Sequence, residues 1–496
     1  MIILESEAKF EEYLKKNKLP TANIGIFAVG HNSYWPQFPD LKNKLQTHYN
    51  YFCENLKKNV NSNIIIYKEI CDSFFSAEKA GNYFVDKKID LAICYLTTYS
   101  PGSIAATVLK KIKNAGVILI GMQPFERLDY EKGTTVLQLE NDNIVSLPEI
   151  INSLERMNIK ALDCVVGYLY DDDRSWGKIK KWCEVANVYN KLNNDHIGAL
   201  GHTYEGMLDM NSDPTMFEGP FGAHIEHLEM EDLEFLVNSV SDKEINNKIK
   251  EILELFELPN PKYDPITSKV TKEDIIWPAK VSVGMDKLVY DYKLTGLAYY
   301  YRGLNNNFEK LHAGMIIGNS LLTSKGISIS GEYDIKNSIA MLITDRFGAG
   351  GSFAEIHPID FIEDFVLVGH DGPHHLMIAE GKPVLRKLSV LHGKRGFGPS
   401  VEYKIKTGPI TMLGLTQNSE NKFKFVVAEG ESLPGLIPAT GNTNTRVRFK
   451  PDIRTFLEKW SMEGPTHHIS LGIGHLSEKI EMLSKWLKIE IVNVTK

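Results

Sequence analysis

Two carboxylates and two imidazoles stand at intervals in the last third of this chain: Glu332 in GEYD, Glu355 in GGSFAEIHPIDF, His370 in VLVGHDGPHH and His468 in GPTHHIS. Taken one by one they carry little. A glutamate is most often a solvated surface acid, and a histidine ending an apolar strand such as FVLVGH is most often a hydrogen-bonded core residue. Taken together they make a mixed oxygen and nitrogen donor set for one divalent ion, of a hardness that suits Mn²⁺ better than a thiolate-loving metal. Ligands this far apart in sequence need a folded domain to gather them, which points to a catalytic site rather than a small structural finger. Two acidic ligands and no cysteine also argue against a closed zinc site. Both glutamates sit beside turns. Glu332 lies where the strand of GISIS passes through Ser-Gly into a helix, and Glu355 follows the Gly-rich FGAGGSFAE. Such turns let backbone approach a cleft closely and present a carboxylate into it.

The elements that must position these residues fall into three textures. The first part alternates the β-rich runs NIGIFAVG (23–30), NIIIYKEI (63–70), DLAICYLTTY (90–99) and GVILIGM (116–122) with helical stretches such as PDLKNKLQTHYNYFCENLKKN. That alternation predicts βαβ units and a parallel sheet, with ligands at the carboxyl ends of the strands. The loops there, HNSYWPQF and TTYSPG, are rich in polar and aromatic groups, and no GxGxxG follows the first strand, so a dinucleotide is not indicated. A second α/β block runs from DHIGALGHTYEG through acidic helices at 229–256 to the helix NFEKLHAGMIIGNSLLTSKG. From about residue 350 short alternating strands predict an antiparallel sandwich or barrel: DFVLVG, PVLRKLSVL, SVEYKIKTGPITMLGLT and KFKFVVAEGE. The expected domains are 1–194, 195–348 and 349–496: two Rossmann-like α/β domains followed by a C-terminal antiparallel, β-rich, barrel-like one.

Length and composition set the outer bounds. A chain of 496 residues exceeds what one core usually supports, and 43% hydrophobic with 24% charged residues is ordinary globular composition. A net charge of −7 with no basic block argues against a nucleic-acid surface. The N-terminus lacks the apolar core of a signal peptide and no run approaches a spanning helix, so the cytoplasm is expected, with no membrane partner. Cys53, Cys71, Cys94, Cys164 and Cys183 are odd in number and form no CxxC pair, which reads as reduced, mostly buried thiols. His224 and His227 in GAHIEHLE have the i, i+3 spacing that would let both reach one metal from a helix, although an exposed or inter-domain face is the plainer reading. His374 and His375 in DGPHH read as surface turn residues, or else as polar groups near the metal.

The segments FEKLH, ISGEYD, GGSFAE, VLVGH, KTGPI and RFKPDIRTFLEKWSMEGPTHHIS also carry a family resemblance. Their order and spacing resemble those of L-arabinose isomerases, within the arabinose/fucose isomerase group. The resemblance implies that Glu332, Glu355, His370 and His468 ligate Mn²⁺, with Mg²⁺ or Co²⁺ as alternatives, and that the two glutamates form the acid/base pair of an aldose–ketose isomerisation through an enediolate. It leaves open whether His467 or His468 is the ligand; His467 otherwise faces substrate. It further implies a homo-oligomer, trimer or hexamer, in which a neighbour's N-terminal domain covers each active site. The chain departs from the family at the substrate end. Gly30-His31-Asn32-Ser33 stands in place of Gly-Ser-Gln-His, so Asn32 offers a shorter amide, and Tyr99 replaces Phe and adds a hydroxyl. Leu139–Asn143 replaces Asn-Gln-Thr-Ala-His. L-arabinose therefore leads a list that includes other pentoses, deoxyhexoses and modified sugars. The competing readings are a sugar aldolase or epimerase using the same chemistry, and a non-catalytic sugar-binding or regulatory protein that keeps the fold.

Overall fold

The computed structural model describes residues 7–18, 22–302, 307–388, 390–391, 394–395 and 398–496. The chain forms two compact units, Pro20–Lys191 and a larger one made of Met1–Leu19 with Leu192–Lys496. In the smaller unit five strands make one parallel sheet: β1 (Asn23–Val29), β2 (Asn63–Cys71), β3 (Leu91–Leu96), β4 (Gly116–Gln123) and β5 (Asp163–Tyr168), in the order β2-β1-β3-β4-β5. Every residue of β3 is buried, as the unbroken apolar run LAICYL requires of a strand covered on both faces. The helix Leu41–Asn59 buries Leu41, Leu45, Tyr49, Phe52 and Leu56 along one stripe, the helical period written in its sequence. All five cysteines lie in this unit as free thiols, and only Cys164 is not fully buried.

The larger unit opens with a second parallel sheet. Its strands are β6 (His196–Gly201), β7 (His224–Leu228), Gly296–Tyr300 and Ser328–Ser330, ordered from Ser328–Ser330 through Gly296–Tyr300 and β6 to β7. His224 and His227 thus stand exposed on a strand, and the helix from which both could have reached one metal is not formed. The acidic stretch makes two helices, Met230–Asn238 and Asp242–Leu255, each begun by a capping box. The run 307–326 breaks at Gly314-Met315 into helices Asn307–Ala313 and Ile316–Ser324.

The C-terminal sheet is separate and mostly antiparallel. Its order is Gly408–Gln417, Ile469–Ile473, Ser352–Asp360, Phe365–His370, Thr443–Arg448, Phe423–Leu433 and Glu490–Asn493, the last strand running parallel to its neighbour. Gly408–Gln417 pairs with Phe423–Leu433 as well, so the first six strands of that order close into a ring. Apolar side chains such as Ile410, Met412, Val426 and Val447 fill its core, beside stacked Phe449 and Phe456 rings 3.8 Å apart. The run PVLRKLSVL, of which residue 389 lies outside the described residues, does not join this ring. Val384–Leu388 pairs instead with Pro399–Glu402 and Thr267–Ser268 in a small sheet of its own. The fold is mixed α/β, with parallel sheets in the N-terminal part and a β-rich C-terminal sheet.

Candidate active site

Glu332 is presented by a strained turn. The buried strand Ser328–Ser330 pairs in parallel with Gly296–Tyr300 and then passes through Gly331-Glu332-Tyr333 into the helix Ile335–Arg346. Glu332 has φ 56° and ψ 20°, and Tyr333 has φ 66°. Two successive non-glycine residues in the left-handed region cost about 1–3 kcal/mol each, and such strain persists where the surroundings over-determine it. Here Asp334 pins the turn: its Oδ1 accepts from the Asn337 backbone N–H at 3.0 Å and caps the following helix.

The other carboxylate oxygen of Asp334 stands 3.1 Å from His468 Nδ1, and both side chains are fully buried. In the neutral ring, a proton on Nδ1 facing Asp334 would leave the Nε2 lone pair free, the tautomer a metal ligand needs. That Nε2 lies 3.2 Å from Glu332 Oε2. The contact does not have hydrogen-bond geometry, and among the described residues neither atom finds a hydrogen-bond partner. Burial alone would raise the Glu332 carboxyl, but His467 and His468 outweigh it and hold the group well below the usual carboxylate range. For His468, burial works against the charged form and Asp334 and Glu332 overcome it, raising the imidazole.

Glu355 and His370 come from adjacent antiparallel strands, with Glu355 opposite Gly369 in register. Glu355 Oε1 lies 3.8 Å from His370 Nε2. His370 repeats the pattern of His468: its Nδ1 faces the Asp371 backbone carbonyl, and the Asp371 carboxylate at 3.1 Å, which raises the imidazole against its burial. The Phe353 ring supports both imidazoles, 4.5 Å from His370 and 4.4 Å from His468.

Two convergent groups result, Glu355–His370–His468 and Glu332–His467–His468, each with its ligand atoms within 4.8 Å of one another. All four residues read as ligands are thereby brought together, with His468 shared by both groups. His467 is turned differently. Its Nδ1 bonds Asp209 Oδ2 at 2.7 Å, its backbone N–H donates to the same oxygen, and its Nε2 lies 3.8 Å from Glu332. Asp209 first and Glu332 second push it up to about 10. A cavity bordered by Tyr299, His312, Glu332, Phe353, His370 and Asp371 opens onto the group. Asp334, Asp371, Phe353 and Asp209 were not singled out from sequence. Asp334 and Asp371 carry a signal there, since GEYD and GHDG place an acid beside a ligand; Asp209 and Phe353 carry none.

Asn32 and Tyr99 belong to the unit Pro20–Lys191. Asn32 is exposed at the start of a short 3₁₀ turn after β1, and Tyr99 follows β3, the neighbouring strand. The His31 ring lies between Tyr34 and Tyr99, at 5.0 and 5.8 Å. The Tyr99 hydroxyl donates to Glu149 Oε2 at 3.2 Å, so the group it adds is engaged within its own unit. In the Leu139–Asn143 segment Glu140 is buried and accepts from His48 at 2.8 Å. His374 and His375 are buried, contrary to the surface-turn reading. His375 Nε2 bonds Asp345 at 3.0 Å and His374 Nδ1 meets Ser352 Oγ at 3.3 Å, because the turn folds back beneath the strand that carries Glu355.

Residues 350–490 match the family model of the L-arabinose isomerase C-terminal domain. Glu355, His370, His467 and His468 fall inside that segment, and Glu332 precedes it. The chain is 24% identical over 411 residues to an L-arabinose isomerase of Nocardioides sp., across 79% of this chain and 78% of the relative. It is 22% identical to L-arabinose isomerase 1 of Bacillus licheniformis, across 67% and 66%, and 22% identical to the Escherichia coli L-arabinose isomerase, across 60% of each. The chain thus spans just under two thirds of the length of the second of these relatives and three fifths of the third.

Proposed function

We propose that this chain is a divalent-metal-dependent aldose–ketose isomerase acting on L-arabinose or a closely related sugar. The enzyme class, an intramolecular oxidoreductase of sugars, follows from the C-terminal family match and the L-arabinose isomerase relatives. The observation that carries the metal reading is the pair of buried atoms Glu332 Oε2 and His468 Nε2, which lie 3.2 Å apart and find no hydrogen-bond partner among the described residues. Buried polar atoms left in that state are costly, and a cation between them satisfies both. Glu332, Glu355, His370 and His468 would hold the ion, Mn²⁺ first and Mg²⁺ or Co²⁺ as alternatives. When bound, it would supply Lewis-acid stabilisation of the negative charge that develops on the sugar oxygens.

The chain's own groups do the rest. One of the two glutamates takes the proton from C2 of the aldose and returns it to C1, while the other moves a proton from the C2 hydroxyl to the C1 oxygen. Asp334 and Asp371 orient His468 and His370. His467, kept cationic by Asp209, presents an N–H donor beside Glu332 at the substrate side. Tyr299, whose hydroxyl is fixed by Asn319 at 2.6 Å, walls the cavity against the C–H face of the sugar.

The assembly belongs to the same proposal: a homo-trimer or hexamer, with Asn32 and Tyr99 of one subunit meeting substrate at a neighbour's metal site. The same proposal places the chain in the cytoplasm; no helix among the described residues is long and apolar enough to cross a membrane. The test is a Mn²⁺-supplemented panel of aldoses and ketoses with product chromatography, an EDTA control and sedimentation of the active species. Conversion of L-arabinose to L-ribulose is the expected result. Conversion of a different sugar alone would reassign the substrate to the departures at Asn32, Tyr99 and 139–143. Absence of any metal-dependent conversion, or full activity in a monomer, would overturn the reaction or the assembly respectively.

A further inference from the structure

We propose that His196, His224 and Glu226 form a second divalent-metal site, distinct from the isomerase centre, that clamps the far end of the central parallel sheet. Strands β6 and β7 run in parallel with His196 directly opposite His224. Side chains alternate along a strand, so Glu226, two residues on from His224, returns to the same face. The outcome is visible in the distances. His196 Nε2 lies 3.2 Å and His224 Nε2 3.7 Å from the same oxygen, Glu226 Oε2, and the three ligand atoms fall within 4.8 Å of one another. The two imidazole rings are 5.1 Å apart, close enough to share an ion.

A further contact shows that the group is built and not merely a crowd of polar side chains. Glu218 Oε1 sits 2.9 Å from His224 Nδ1. A carboxylate on Nδ1 fixes the tautomer and turns the Nε2 lone pair toward Glu226, the outer arrangement that accompanies metal-bound histidines. The backbone is fixed as well: His224 N–H donates to the Asp195 carbonyl at 2.9 Å, and Thr295 N–H to the His196 carbonyl at 2.8 Å. Two imidazoles and one carboxylate, with room for water on the exposed His224 side, make a four-coordinate set for Zn²⁺, Co²⁺ or Ni²⁺ rather than for Mg²⁺ or Ca²⁺.

Its place argues for a clamp and not for chemistry. His196 and His224 are the first residues of their strands, at the amino end of the parallel sheet. Glu332 lies past the carboxyl end of Ser328–Ser330 in the same sheet, where substrates of such sheets bind. His227, once a candidate partner of His224, bonds the Tyr333 hydroxyl at 3.2 Å, beside the other site. An ion at the amino end ties two strands and, through Glu218, the short helix Glu218–Phe221.

The full chain, stripped of metal and titrated with Co²⁺ by calorimetry and visible absorption, tests this. We expect an intense four-coordinate Co²⁺ spectrum that H224A and H196A each abolish, with the loss of one metal equivalent and a lower melting temperature in Zn²⁺. Isomerase turnover in Mn²⁺ should be unchanged in H224A, whose side chain is 57% exposed. H468A should retain the Co²⁺ spectrum, which keeps this result separate from the fate of the isomerase reading. An unchanged metal stoichiometry in both H224A and H196A, or their loss of turnover in Mn²⁺, would overturn the proposal.

Discussion

Glu332 and Glu355 are poised differently, and each has its own test. Glu332 is buried and held ionised by two imidazoles, whereas the Glu355 side chain is about one third exposed at the mouth of the group. Replacing either with Gln keeps the shape and removes the charge. E332Q and E355Q should each lose turnover by about 10²-fold or more, with an unchanged circular dichroism spectrum; near-normal turnover in either would remove the acid/base pair. Asp334 allows a finer test, because it both caps a helix and orients His468. Asn caps as well as Asp, so D334N should leave the melting temperature nearly unmoved. It removes the carboxylate that fixes the His468 tautomer, so Mn²⁺ affinity should fall roughly 10–100-fold. A variant that binds Mn²⁺ normally would show that Asp334 only caps. The four residues proposed as ligands were legible in the sequence as residue types, because carboxylate and imidazole are the donors such an ion would need. Asp209 was not: it meets His467 across 258 positions, and no local pattern marks so distant a partner.

At the scale of elements, the turn Gly331–Tyr333 and the strand carrying Phe353 hold the site as one block. A methyl group placed on Gly331 would come 3.3 Å from the Phe353 ring. Phe353 is fully buried with the His370 ring edge-on to it and the His468 ring tilted against it, so it has nowhere to give. G331A should therefore cost about 1–3 kcal/mol, read as a lowered denaturant midpoint, together with weaker Mn²⁺ binding. A loss of stability with normal binding would separate the turn from the metal site. The apolar strands β1, β3 and β4 of the first parallel sheet were legible because burial on two faces leaves no polar position to blur the run. His224 and His227 are exposed, as the plainer reading had it, but on a strand; five residues, HIEHL, are too few to tell a period of two from the helical 3.6 that was weighed beside it. His374 and His375 were misread for another reason. Gly-Pro-His-His has the composition of a surface turn, and only the fold-back onto Ser352 and Asp345 buries it.

Across the whole molecule, every residue proposed to hold a metal lies in the larger unit, while Pro20–Lys191 has a parallel sheet and a hydrophobic core of its own. A ligand that binds only the folded form stabilises the part that binds it, by about 2.7 kcal/mol at a hundredfold excess over Kd. For a unit of this size that is several degrees in Tm. Calorimetric unfolding of the full chain should therefore resolve into two transitions, since separate cores melt separately unless an interface couples them. Mn²⁺ should raise the transition of the larger unit, and EDTA should lower it again. The other transition, assigned by limited proteolysis at intermediate temperature, should stay where it is. If both transitions move together, the two units unfold as one and a neighbour's N-terminal domain covering the site becomes the natural cause. If neither moves, the ligand set holds no ion and the reaction proposed for it falls with it.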